Sequence, residues 1–157
     1  PIMSLLRGIV FTDDGMLPRH LASLAAHPWP HLTSLEVRSE FGFSLGEELF
    51  DPSPLVPLFD GRAPKLQRLV LIGASPVAVI CEALAAGPLA SVLTSLNVER
   101  CSWSEPAIAA LASGRFTSLQ SLTISGTGIA ADARERLAGV ATKLRVDIRE
   151  TPGEIVD

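Results

Sequence analysis

Apolar side chains recur along this chain in triplets, the second residue three places after the first and the third two places later. Leu6-Ile9-Phe11, Leu32-Leu35-Val37, Leu66-Leu69-Leu71, Leu93-Leu96-Val98 and Leu119-Leu122-Ile124 are five such triplets, and Ala141-Leu144-Val146 is a degenerate sixth. Their first residues are spaced 26, 34, 27, 26 and 22 apart, intervals that chance would rarely produce. The alternation inside each triplet predicts a strand with one buried face. A second pattern follows at fifteen and eighteen residues from the first anchor: Leu21 with Leu24, Cys81 with Leu84, Ile108 with Leu111, then Arg134 with Leu137, where one apolar place is lost. A spacing of three inside Ala-rich segments predicts one face of a short helix. Pro18, Pro76 and Pro106 lie at or near the expected helix starts, where a missing N–H costs little. His27-Pro28, Gly87-Pro88 and Ser113-Gly114 lie near the expected ends. Each unit therefore reads as strand, turn, helix and return loop. One unit cannot bury its apolar face alone, but stacked units bury a continuous core.

The stretch Leu93 to Trp103 spells L-x-x-L-x-V-x-x-C-x-W. With its echoes elsewhere it resembles the leucine-rich repeat family, in particular the ribonuclease-inhibitor-like class. The resemblance implies an α/β solenoid of about six repeats, a horseshoe arc with a parallel concave β-sheet and short helices on the convex side. It covers most of residues 1–150, expected to be part of a longer protein, with 151–157 as a C-terminal tail. Position eleven of the unit (Met16, Trp103, Ile129) is expected to extend the core beneath the loop, with Trp29 and Phe116 plugging the returning side. The chain departs from the family twice. The Asn or Cys of position nine survives only as Cys101, the other copies having Asp14, Glu40, Ala74 and Thr127. The second copy is also longer, through Phe41 to Pro52, before Leu55 and Leu58 resume the helix pattern. That insert holds a capping-box pattern from Ser44 to Glu47, with Phe41, Phe43, Leu45, Leu49 and Phe50. It reads either as a local helical turn covering the core or as an apolar contact at the sheet rim.

Alternation puts positions three, five, seven and eight on the concave face. Position five supplies Val10, Glu36, Val70, Asn97, Thr123 and Arg145, and position seven Thr12, Arg38, Ile72, Glu99, Ser125 and Asp147. With strands ~4.8 Å apart the strip is about 24 Å long, enough for a peptide or a small protein face. Val70 and Ile72, with Val10, are apolar where a solvated sheet is normally polar. Flanked by Glu36, Arg38, Asn97, Glu99 and Arg100, they are expected to form an apolar centre with a charged rim, the arrangement of an interface hot spot. The alternative is that Leu69 to Ile72 is merely a strong strand former, or is covered by a neighbouring segment outside this sequence. Glu36 and Arg38 could also pair across strands with Arg68, Glu99 or Arg100, which would be structural.

Composition narrows the function classes. The chain has 157 residues, 47% of them apolar, and a net charge of −4. With no basic run and no Tyr, it is not a nucleic-acid binder in type. No apolar run reaches the ~18 residues of a membrane span. Arginine outnumbers lysine eleven to two, a bias of GC-rich, bacterial-type genomes that has no bearing on function. Cys81 and Cys101 fall on repeat positions that other copies fill with small or apolar residues, so they are expected to be free thiols in a reducing, cytoplasmic compartment. His20, His27 and His31 do not have the spacing of a helical metal face. Asp13-Asp14 lacks the further oxygens that calcium requires. Ser125-Gly-Thr-Gly128 lacks the lysine of a phosphate loop, and no G-x-S-x-G elbow occurs.

No nucleophile, base and orienting acid can therefore be assigned, and neither a metal nor a cofactor is expected. What the resemblance implies is a non-enzymatic module that binds a protein or peptide on the concave sheet. The competing readings are the substrate-recognition portion of a larger effector or ligase-type enzyme, and a spacer between domains. Leu6 begins a strand with no capping element before it, so self-association through the N-terminal end is a further expectation.

Overall fold

A computed structural model describes residues 6–12, 17–39 and 49–148. Expectations for Asp13, Asp14, Met16, Glu40, Phe41, Phe43, Leu45, the Ser44–Glu47 cap and the tail 151–157 lie outside these residues. The described chain forms one open sheet of six parallel strands in sequence order. The strands are β1 (Gly8–Thr12), β2 (Ser34–Arg38), β3 (Arg68–Ile72), β4 (Ser95–Ser102), β5 (Ser121–Thr127) and β6 (Lys143–Ile148). Between them lie α1 (Leu17–Ala25), α2 (Ala78–Ala86), α3 (Glu105–Ser113) and the short α4 (Ala133–Arg136). Between β2 and β3 the described residues make a 3-10 turn at Ser53–Leu55 and a wide helical turn at Leu58–Arg62, which ends through Gly61 at φ 96°.

The register joins the anchors predicted from the triplets. Ile9, Leu35, Leu69, Leu96, Leu122 and Leu144 form one row across the sheet, and Phe11, Val37, Leu71, Val98, Ile124 and Val146 the next. Parallel strands need a crossover, and crossovers of one hand put their helices on one face. The strand anchors and the helix residues Leu21, Leu24, Cys81, Leu84, Ile108, Leu111 and Leu137 accordingly meet in a single core. Leu55 and Leu58, fully buried, take the same role in the second crossover from a 3-10 turn and a wide turn. Each buried leucine contributes about 1.5–3 kcal/mol relative to an exposed one.

The local sequence explains where the helices stop. α2 is rich in Ala and ends at Gly87-Pro88, where proline has no N–H to continue the ladder. α3 carries Glu105 and Pro106 in its first turn, where a negative charge and a missing N–H are both tolerated well, and ends at Gly114.

A backbone ladder runs along the strand entries. The Arg7 carbonyl accepts from the N–H groups of Thr33 and Ser34, that of Thr33 from Gln67 and Arg68, that of Gln67 from Thr94 and Ser95, and that of Thr94 from Gln120 and Ser121. Thr33 and Thr94 add hydroxyl donors to the Arg7 and Gln67 carbonyls at 2.9 and 3.2 Å.

The tryptophans serve the core as expected. Trp103 and Trp29 are each 5% exposed, and their indole N–H groups donate to Ser125 O at 3.0 Å and Leu24 O at 2.7 Å. Ile129 is buried and Phe116 half-buried. Of the insert, Phe50 is buried and bridges Ala74 in parallel, beside the β3 exit. Both edges expose apolar surface, Val10 of β1 at 63% and Ile148 of β6 at 51%, and β6 adds the exposed charges of Lys143, Arg145 and Asp147.

Two substitutions test this packing. Leu96→Ala, at a fully buried site in the middle of the sheet, should lower unfolding free energy by about 2–5 kcal/mol in a urea titration. Gly126→Ala should be at least as damaging, because Gly126 has φ 137° and an added Cβ would collide with the Cys101 carbonyl.

Candidate functional site

The face of the sheet turned away from the helices carries the residues singled out in the sequence. The row through position five runs Val10, Glu36, Val70, Asn97, Thr123 and Arg145, each paired in register with the next. Thr12, Arg38, Ile72 and Glu99 form the adjacent row, and Ser125 pairs with Asp147 beyond it. The candidate residues are thus brought onto one face.

Their exposure differs from expectation in two places. Val70 is only 2% exposed, so it is not part of an open apolar centre. In register it lies between Glu36 and Asn97, and along its strand between Arg68 and Ile72. Long side chains on the same face of a sheet can cover a shorter β-branched one between them, which alternation alone does not reveal. Val10 is well exposed but stands on the edge strand, separated from Val70 by Glu36. The expected apolar centre of Val10, Val70 and Ile72 therefore does not form as one patch, and Ile72, half-buried, is its remaining central member.

The second difference is Glu36, expected on the rim and found 7% exposed. Arg38 pairs with it tightly along the strand, and Arg68 approaches from β3 at 3.9 Å. A buried charge persists only when paired, so this carboxylate is as much a structural group as a contact. On β6, Arg145 holds Asp147 at 3.0 Å, an exposed pair worth about 0–1 kcal/mol.

At the strand exits the backbone is less regular. The β4–β5 register shifts between Val98 and Cys101, and Arg100 within this bulge has φ 55°. The Arg100 N–H donates to the Ser125 hydroxyl at 2.9 Å, with Ser125 itself 6% exposed. The importance of Ser125 is not apparent from its residue type. The left-handed turn has one sequence trace: the residue after position seven is glycine at Gly73 and Gly126, both with positive φ. The Ser125-Gly-Thr-Gly128 run is backbone packing, since Cβ atoms on its glycines would strike the Cys101 and Trp103 carbonyls.

Cys101 shows how one position-nine residue satisfies its loop. Its sulfur accepts from the Ala74 N–H at 3.3 Å and lies 3.2 Å from the Glu99 carbonyl. Neighbouring turns are held by backbone bonds instead, Ser102 N–H to Ala74 O and Trp103 N–H to Thr127 O. Both cysteines are buried and unpaired. Burial pushes the Cys81 thiol far above its usual value, with the nearby Cys101 and Glu82 adding to the rise. Burial likewise pushes Cys101 up to about 12, opposed by backbone donors at Ala74 and Gly73. Reactivity belongs to the thiolate, so neither thiol is a nucleophile in the fold.

His20 stacks obliquely on Phe11 at 6.3 Å, and with His27 and Trp29 it borders a cleft of about 290 Å³ beside α1. Among the described residues no three His, Cys, Asp or Glu side chains converge as a metal would require. Among them, too, no helix is long and apolar enough to cross a membrane. No family model, no curated protein and no solved structure matches the chain.

The thiols offer a direct check. At pH 8 Ellman's reagent should titrate neither cysteine in the native protein and both in denaturant. Folded thiols keep protons that unfolded ones lose above the ordinary 9.0, so these groups stabilise the fold below that pH. Their contribution should fall as pH climbs from about 9 toward 12, read as a declining urea midpoint that is less steep in a Cys101→Ala variant.

Proposed function

We propose that the chain is a leucine-rich-repeat solenoid serving as a non-enzymatic protein-interaction module, with its partner, a protein or peptide, held on the helix-free face of the sheet. The observation that carries this reading is the register. Six strands align their position-five side chains into one uninterrupted row while the neighbouring anchors are consumed by the core. A row of that kind offers changeable side chains on a fixed frame, the basis on which solenoids bind extended surfaces. The periodic backbone ladder at the strand entries supports the repeat reading. The revised contact set is Val10, Arg38, Ile72, Asn97, Glu99, Arg100 and Thr123, with Glu36 and Val70 beneath or between them. The two unpaired thiols favour a reducing compartment such as the cytoplasm.

The test is capture of a partner from the source lysate by three forms of the protein, each checked for folding by circular dichroism. An Ile72→Lys/Thr123→Trp double variant blocks the sheet face, and Val79→Asp alters the opposite layer at a site 40% exposed on α2. The expected outcome is a protein retained by wild type and Val79→Asp and reduced at least tenfold by the double variant. Loss through Val79→Asp alone would move binding to the helices and reject the proposal.

A further inference from the structure

A helix on the outside of a layered fold is normally apolar on one side and polar on the other. α1 follows that rule, with Arg19, His20 and Ser23 turned to solvent. α2 does not. Eight of its nine residues are apolar and Glu82 is its one charge, so apolar residues occupy its outward side as well as its core side. α3 continues the surface with Pro106, Ala109 and Ala110, and its one charge, Glu105, is held by Arg136 at 2.7 Å. A helix that is apolar all round belongs in a place covered on every side.

Two clefts flank the C-terminal half of α2. On one side Val56, Pro57 and Phe59 face Ala83, Ala86 and Gly87 across a cleft of about 420 Å³. On the other, Pro106, Ala109 and Ala110 of α3 face Ala85 and Ala86 across a cleft of about 540 Å³. Ala86 borders both, so they make one continuous surface, and Val79 lines neither.

The charge along this surface has a single sign. Asp60 lines the first cleft and Glu82 the second, and no Lys, Arg or His lines either. Among the described residues neither carboxylate is in an ion pair. The last turns of α2 and α3 carry no basic residue, so the negative ends of both helix dipoles add to the two carboxylates. Of the chain's thirteen Lys and Arg, all but Arg149 are placed, and Arg149 directly follows β6 at the edge of the sheet. A second copy of a chain with net charge −4 would bring like charges together here, whereas a cationic partner is attracted. The surface also selects a backbone. Helices use their own N–H and C=O groups internally, so an extended peptide lying here would bury polar groups without partners. A helical segment brings its backbone already satisfied, and small residues such as Ala let it approach closely into the groove between two helices.

We infer that the convex surface around the C-terminal half of α2 is a second docking site, and that it takes an amphipathic helix of a partner protein whose apolar stripe is flanked by Lys or Arg. The apolar stripe fills the two clefts, and the cations meet Asp60, Glu82 and the helix ends. This site is separate from the sheet face and does not depend on it.

The experiment pans a phage-displayed library of 16-residue helical peptides on the full chain. Their apolar stripe is fixed as Leu and Ala, and the remaining positions are drawn from Lys, Glu, Gln and Ser. Enriched peptides are then measured by fluorescence anisotropy at 0.05 and 0.3 M salt. Wild type is compared with Ala86→Arg, Asp60→Asn/Glu82→Gln and Thr123→Trp. Ala86 is exposed, and a cation in the last turn of a helix favours the fold, so Ala86→Arg blocks both clefts while the circular dichroism spectrum and Tm are kept. Enriched peptides should be rich in Lys, bind Ala86→Arg at least tenfold more weakly, and bind Thr123→Trp as they bind wild type. They should bind Asp60→Asn/Glu82→Gln about three- to tenfold more weakly, with a smaller response to salt. Enrichment of Glu-rich or uncharged peptides, of none, or of peptides indifferent to Ala86→Arg would overturn the inference. Peptides lost through Thr123→Trp and not through Ala86→Arg would overturn it too, and would support the sheet face instead. A wild-type dimer in sedimentation equilibrium that Ala86→Arg dissolves would make a second copy the occupant and likewise reject a basic helix.

Discussion

Everything in this molecule depends on alternate apolar side chains of one strand stacking on those of the next. Leu35, Leu69, Leu96 and Leu122, all fully buried, form the central row, and Val37, Leu71, Val98 and Ile124 its companion. A slip of one residue would turn both rows to the opposite face and expose them to water. The register is therefore pinned by the core, and the helices can be short and irregular without disturbing it. The second crossover shows this tolerance, since a 3-10 turn and a wide turn deliver Leu55 and Leu58 to the places that Leu21 and Leu24 occupy from a regular helix.

The fold was legible in the sequence because two periods were present together, alternation in the strands and a three-residue spacing in the helices. Both report which side chains must be buried, and the strand anchors and helix pairs fall where they were expected. The central crossovers were clearest, since α2 and α3 end at Gly87-Pro88 and Gly114 for reasons visible in the residue types. The geometry of the 49–62 segment was not legible, because a wide turn is fixed by packing of Phe50, Leu55, Leu58 and Phe59 and not by local propensity.

The candidate site was legible only as a list of residues sharing a face. Alternation tells which side of a sheet a residue occupies, not what its neighbours lay over it. Val70 and Glu36 fell on the expected side and are nonetheless buried, one flanked in register by Glu36 and Asn97 and the other paired with two arginines. Conversely, Ser125 and the turn at Arg100 involve a hydroxyl and a dihedral angle that no pattern of apolar and polar letters encodes. Only the glycines at 73 and 126 left a trace of that turn.

The strand order has a consequence for how the protein opens and closes. Among the described residues every strand pairs with its neighbours in sequence, and no contact in the sheet there requires the chain to return from one end to the other. Cooperativity is then one-dimensional, and the free energy needed to free a strand depends on how many partners it has. β3 and β4 sit between two neighbours each and over the most deeply buried side chains, whereas β1 and β6 are held from one side. Amide hydrogens should therefore exchange fastest at the two edges and slowest in the middle, as fraying proceeds inward. A partner lying across several strands would then act as a clasp, slowing that fraying without altering any bond in the core.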